Sequence, residues 1–126
     1  MSAWGRVSPG QFTPDTGGGI FISGDEGKTW KQVMHKDQHI GAITRDNRNN
    51  RLYACGFNSS AYFSEDRGET WVRIRGYNFK WGQRVEPDPA DPEKIFILTF
   101  GGGVWYGPAK GDQDAVEDIV MPDPKF

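Results

Sequence analysis

Ser23-Gly24-Asp25-Glu26-Gly27-Lys28-Thr29-Trp30 recurs further along the chain as Ser64-Glu65-Asp66-Arg67-Gly68-Glu69-Thr70-Trp71. Ser, Asp, Gly, Thr and Trp coincide at one offset, 66 − 25 = 41 residues. A repeat of this period marks an architecture built from stacked supersecondary units. The correspondence spreads outward from the octets. Gly19-Ile20-Phe21-Ile22 precedes the first and Ser60-Ala61-Tyr62-Phe63 the second. After the first come His39–Asp46, a polar turn at Asn47–Asn50 and Arg51–Gly56. After the second come Gly82–Asp88, a turn through Pro89–Glu93 and Lys94–Thr99. A third unit opens at Gly103-Val104-Trp105-Tyr106, but Gly107-Pro108-Ala109-Lys110-Gly111 lacks the Asp, Thr and Trp.

Short apolar or alternating runs bounded by Gly, Pro, Asn and Asp predict strands at 20–23, 29–33, 39–45, 51–56, 61–64, 70–75, 82–86, 94–99 and 103–106. Four short strands per unit, recurring every 40 or so residues, are the cadence of a β-propeller blade. The expected class is all-β: antiparallel four-stranded meanders forming two complete blades and one partial blade. Residues 1–17 are expected to belong to a partial preceding blade or an exchanged strand, 18–107 to the blades, and 108–126 to an irregular tail.

The pattern Ser-x-Asp-x-Gly-x-Thr-Trp resembles the Asp-box, or BNR repeat, of sialidases, xyloglucan-hydrolysing enzymes, sortilin-type receptors and photosynthetic assembly factors. The resemblance covers roughly residues 18–107, with boxes at 23–30 and 64–71, and implies a propeller whose boxes lie at the periphery, away from an active-site face. The stretch from Trp81 to Pro108 resembles the final blades of large bacterial Asp-box proteins, which implies a C-terminal segment. The physical chemistry of the motif points the same way. A tight hairpin strands backbone N–H groups, and Asp25 or Asp66 can accept several of them. Gly27 and Gly68 suit a turn position with positive φ. Thr29 and Thr70 open the next strand with hydroxyls able to bond back into the turn, while Trp30 and Trp71 are expected to lie against the adjacent sheet. Ser23 and Ser64 complete the pattern. These ten residues are read as structural.

Catalysis finds little support. A glycosidase needs two carboxylates flanking one bond, whereas boxes in successive blades place Asp25 and Asp66 a blade apart. The arginine triad, the Arg-Ile-Pro motif and the Tyr/Glu pair of the resembled sialidases cannot be matched; Arg73-Ile74-Arg75 lacks the proline and follows the second box. The remaining carboxylate candidates are Asp37, Glu86 and Asp88. His35 and His39 are the only histidines, no Gly-x-Ser-x-Gly elbow exists, and the glycine runs at 17–19 and 101–103 lack the Gly-Lys-Ser/Thr of a phosphate loop. Trp81, Gln83 and Arg84 form the candidate ligand-binding segment: an exposed Trp81 can stack on a sugar ring whose hydroxyls Gln83 and Arg84 would bond. The alternative is that Trp81 packs between blades and Arg84 pairs with Glu86.

Composition narrows the rest. Among 126 residues, 17 Gly and 8 Pro leave few uninterrupted helical windows, and 5 Trp, 8 Phe and 4 Tyr must supply much of the core. A net charge of −2 with scattered Lys and Arg gives no basic stripe for nucleic acid. No run approaches the roughly 20 apolar residues of a membrane span, and the N-terminus shows no signal-peptide h-region. The chain is expected to be soluble, its compartment open, although the resembled family is often secreted. The single Cys55, in an apolar run, is read as a small buried hydrophobe. No metal or cofactor is expected. The function expected is a non-catalytic binding or scaffold module for carbohydrate or protein, and the alternative is a glycoside hydrolase fragment completed elsewhere. Since closure takes typically 4–8 blades, a homo-oligomer, most simply a dimer, is expected.

Overall fold

The computed structural model describes residues 2–3, 19–34, 40–56, 60–77 and 79–115. Asp37, His35 and His39 lie outside them. The protein is all-β: no helix occurs among the described residues, and every pair of strands within a sheet is antiparallel. The first sheet contains β1 (Ser2–Ala3), β2 (Gly19–Ile22) and β3 (Lys31–Met34) in that order. The second contains β4 (Ile40–Asp46), β5 (Arg51–Gly56), β6 (Ser60–Ser64) and β7 (Val72–Arg73), again in sequence order. The third contains β8 (Gly82–Asp88), β9 (Asp91–Thr99) and β10 (Val104–Pro108).

Alternation along β5 and β6 places the second sheet at the centre of the stack. Residues one apart on a strand face opposite sides, and both sides here are apolar. Ala54, Tyr62 and Trp71 pack with Ile20, Val33 and Met34 of the first sheet. Tyr53, Cys55, Ala61 and Phe63 pack with Val85, Ile95 and Ile97 of the third. The box-bearing end adds polar ties between the second and third sheets. Arg48 Nη1 donates to Pro89 O at 3.1 Å, and buried Arg51 lies between Glu65 and Glu93 at 3.3 and 3.6 Å.

One expectation needs correction. The ladders after the boxes begin later than predicted, at Lys31 and Val72 instead of 29 and 70, because Thr29, Trp30 and Thr70 bond back into their turns. Among the described residues the second sheet has four strands and the first and third have three each. In the third, the chain beyond Pro108 leaves β10. Gly111 forms a parallel bridge with Arg75, and Asp112 N donates to Arg75 O at 2.9 Å. Without box residues nothing clasps a hairpin there. Of residues 1–17, Ser2 and Ala3 pair with Ile20 and Gly19, beside the first box's own strands.

Candidate functional site

The two boxes fold alike. Asp25 Oδ1 accepts the Thr29 N–H at 2.8 Å and Oδ2 the Thr29 hydroxyl at 2.6 Å, while Ser23 Oγ donates to Oδ1 at 2.8 Å. Asp66 takes the same three donors from Thr70 and Ser64. Each serine oxygen also accepts the glycine N–H of its box, at 2.8 Å from Gly27 and 2.9 Å from Gly68. Acceptor duty at the turn is thus divided between Asp and Ser.

The two residues at the tip of each turn both have positive φ: 61° and 87° at Glu26 and Gly27, 63° and 88° at Arg67 and Gly68. This is the sign pattern of a type I′ turn, whose twist matches that of the flanking strands. Sequence reasoning located the glycine but missed its left-handed predecessor. Trp30 Nε1 donates to Gly27 O at 3.0 Å and Trp71 Nε1 to Gly68 O at 2.9 Å. The indoles nevertheless differ in environment, Trp71 being 4 % exposed and Trp30 43 %.

Hydrogen bonds from the Thr29 hydroxyl, the Thr29 N–H and the Ser23 hydroxyl hold the Asp25 carboxyl down at about 2. Asp66 is lowered by the corresponding Thr70 and Ser64 bonds. Both are anions engaged within their own loops, on different sheets, and no carboxylate pair is formed.

With the fold and boxes in view, the family can be assigned. The Sortilin-Vps10 profile, described as sortilin, neurotensin receptor 3, matches residues 18–113. The chain belongs to the Sortilin-Vps10 family. Similar curated proteins include a probable oligoxyloglucan-reducing end-specific xyloglucanase of Neosartorya fischeri, 25 % identical over 113 residues, covering 76 % of this chain and 14 % of the relative. The oligoxyloglucan-reducing end-specific xyloglucanase of Emericella nidulans is 27 % identical over 107 residues, covering 73 % and 13 %. Vacuolar protein sorting/targeting protein 10 of Blastomyces gilchristii is 35 % identical over 82 residues, covering 64 % and 5 %. The chain thus spans only a small part of each relative. No solved structure matches significantly.

In this Sortilin-Vps10 chain the two described carboxylate candidates outside the boxes, Glu86 and Asp88, also have partners. Glu86 Oε1 lies 2.5 Å from Arg84 Nη2, and Asp88 Oδ2 accepts the Tyr106 hydroxyl at 2.7 Å, which lowers the Asp88 pKa. The described carboxylates with displaced pKa values, Asp25, Asp46, Glu65, Asp66 and Asp88, are all displaced downward. An acid catalyst working near neutrality needs the opposite. Burial pushes the Cys55 thiol up to about 12, far from the depressed value of a reactive thiolate. Among the described residues no cluster of His, Cys, Asp and Glu has the makings of a metal site. Nor is any helix there long and apolar enough to cross a membrane.

Trp81, Gln83 and Arg84 lie at the start of β8, at the end of the stack opposite the boxes. Trp81 is 49 % exposed with φ 53°, and its carbonyl accepts the Phe100 N–H at 2.9 Å. Gly82 pairs with Thr99 and Arg84 with Leu98, so exposed Gln83 is the extra residue of a bulge. Phe100 is 56 % exposed beside them. Sequence reasoning missed it, although Phe100-Gly101-Gly102-Gly103 sets an aromatic at a strand end against a glycine run. At the box end, Arg45, Asn50, Leu52, Glu65 and Arg67 line a groove of about 580 Å³.

Proposed function

We propose that this chain is a non-catalytic propeller segment, a scaffold and binding module whose boxes brace its hairpins. The observation carrying this reading is that Asp25 and Asp66 each accept three hydrogen bonds within their own turn. A carboxylate so engaged is poor as a general acid, and its fully ionised state suits a structural clasp. The ten box residues are the brace, and the strand connections at the opposite end are the surface left for a ligand, carbohydrate or protein.

The alternative is a segment of a glycoside hydrolase, favoured by the similarity to two fungal xyloglucanases. On that reading Glu86 is the carboxylate to test, since it lies on the strand leading from the inter-sheet connection. The purified chain is expected to release no sugar from xyloglucan oligosaccharides or sialosides. Turnover that persists through repeated purification and disappears in Glu86→Gln would replace the scaffold reading with the hydrolase one.

A further inference from the structure

A large side chain at positive φ is costly and persists where its surroundings over-determine it, often at functional sites. Trp81, at φ 53°, is so held. A Cβ on the next residue, Gly82, would lie 2.6 Å from Gly56 O and Phe79 Cε2 and 2.7 Å from Cys55 Sγ. The backbone at Gly82 is therefore wedged against the second sheet, and the bond from Phe100 N to Trp81 O fixes the other side. The indole is part of neither buried core. Tyr77 and Phe79 are buried and already anchor this segment, while the Trp81 ring stays half in solvent.

The surroundings have the composition of a binding site: aromatic surface with a few planar polar groups. Trp81 and Phe100 occupy neighbouring strand ends, and a Cβ at Gly101 or Gly103 would meet nothing within 4 Å. Gln83 contributes an amide that both donates and accepts. The Arg84–Glu86 ion pair presents both donors and acceptors and carries no net charge as a unit. We propose that Trp81 and Phe100 form a pyranose-binding platform, with the C–H face of a sugar ring on the Trp81 indole and its hydroxyls bonded by Gln83 and the Arg84–Glu86 pair. A pyranose suits the site because it joins a flat apolar face to a rim of neutral hydroxyls. An apolar peptide side chain would satisfy the rings and leave the polar groups unused.

The inference rests on the non-catalytic reading, since Glu86 orients sugar hydroxyls here and cleaves nothing. It is tested by titrating the whole chain with cellotetraose, maltotetraose and mannotetraose while following the indole N–H signals by NMR and the sugars by chromatography. The expected result is a saturable shift of the Trp81 signal with at least one of the three. Trp81→Gly, which suits the left-handed backbone, should melt at or above the wild-type temperature and bind roughly tenfold more weakly or worse. Phe100→Ala should keep the fold and also lose affinity. Absence of saturable binding to all three sugars, or full affinity in folded Trp81→Gly, overturns the platform. Shortened sugars in the chromatogram would instead overturn the non-catalytic reading, and the Trp81→Gly affinity would still decide the platform.

Discussion

At the scale of single residues, Ser64 illustrates how little slack a box has. Its buried oxygen accepts the Gly68 N–H at 2.9 Å and donates to Asp66 at 2.8 Å. Ser64→Ala leaves a buried N–H without its acceptor and should cost about 1–3 kcal/mol. Ser23→Ala, in the more open first box, should cost less; equal losses in urea titrations would show that burial of the turn does not set its value. The carboxylates add a pH dependence. Asp25 and Asp66 titrate below their ordinary value, Asp25 at about 2. The stability they confer is therefore complete above about pH 4 and is lost as pH falls toward 2. Melting curves across that interval should decline in the wild type and decline less in an Asp25→Asn, Asp66→Asn double variant.

At the scale of elements, the two box tryptophans separate a local role from a tertiary one. Each clasps its own turn through the same indole bond, yet only Trp71 is covered by a preceding sheet, through Ile20, Val33 and Met34. Trp71→Ala should cost about 3–5 kcal/mol, the usual range for emptying a large aromatic site in a core. Trp30→Ala should cost less than about 2 kcal/mol, because much of that ring is already in water. Denaturant midpoints with unchanged slopes would measure the difference; similar losses would mean that the indole bond outweighs the burial. The same contrast explains the shortened β3 and β7. The box spends Thr and Trp on its own turn before the ladder resumes, and the sequence pattern cannot separate a turn-bound threonine from a strand threonine.

At the scale of the molecule, the outer face of the third sheet carries exposed Val104 and Tyr106, and Trp30 lies in the box of the sheet at the other end. Large apolar side chains left exposed on end sheets are candidate association surfaces. We expect two copies to associate through these end faces, giving a species of about twice 14.1 kDa in light scattering coupled to size exclusion. Tyr106→Lys should return it to monomer. A wild-type monomer with a cooperative melt would show that the three sheets stand alone.

The sequence by itself determined the repeat, its offset, the all-β class and which residues close each hairpin. These depend on local chemistry, since a Ser, an Asp and a Gly at fixed spacing satisfy one turn whatever lies around it. The family match spans residues 18–113, both boxes included. Only the tertiary structure decided that Trp71 is buried and Trp30 is not, that the chain after β10 turns onto Arg75, and that Phe100 stands beside Trp81. Each of these outcomes depends on what a neighbouring sheet or strand supplies, and residues from 19 to 51 positions apart share no local signal in the sequence. The left-handed backbone of Trp81 belongs to the same group, because the close approach of Gly82 to Gly56 and Cys55 is a contact between sheets.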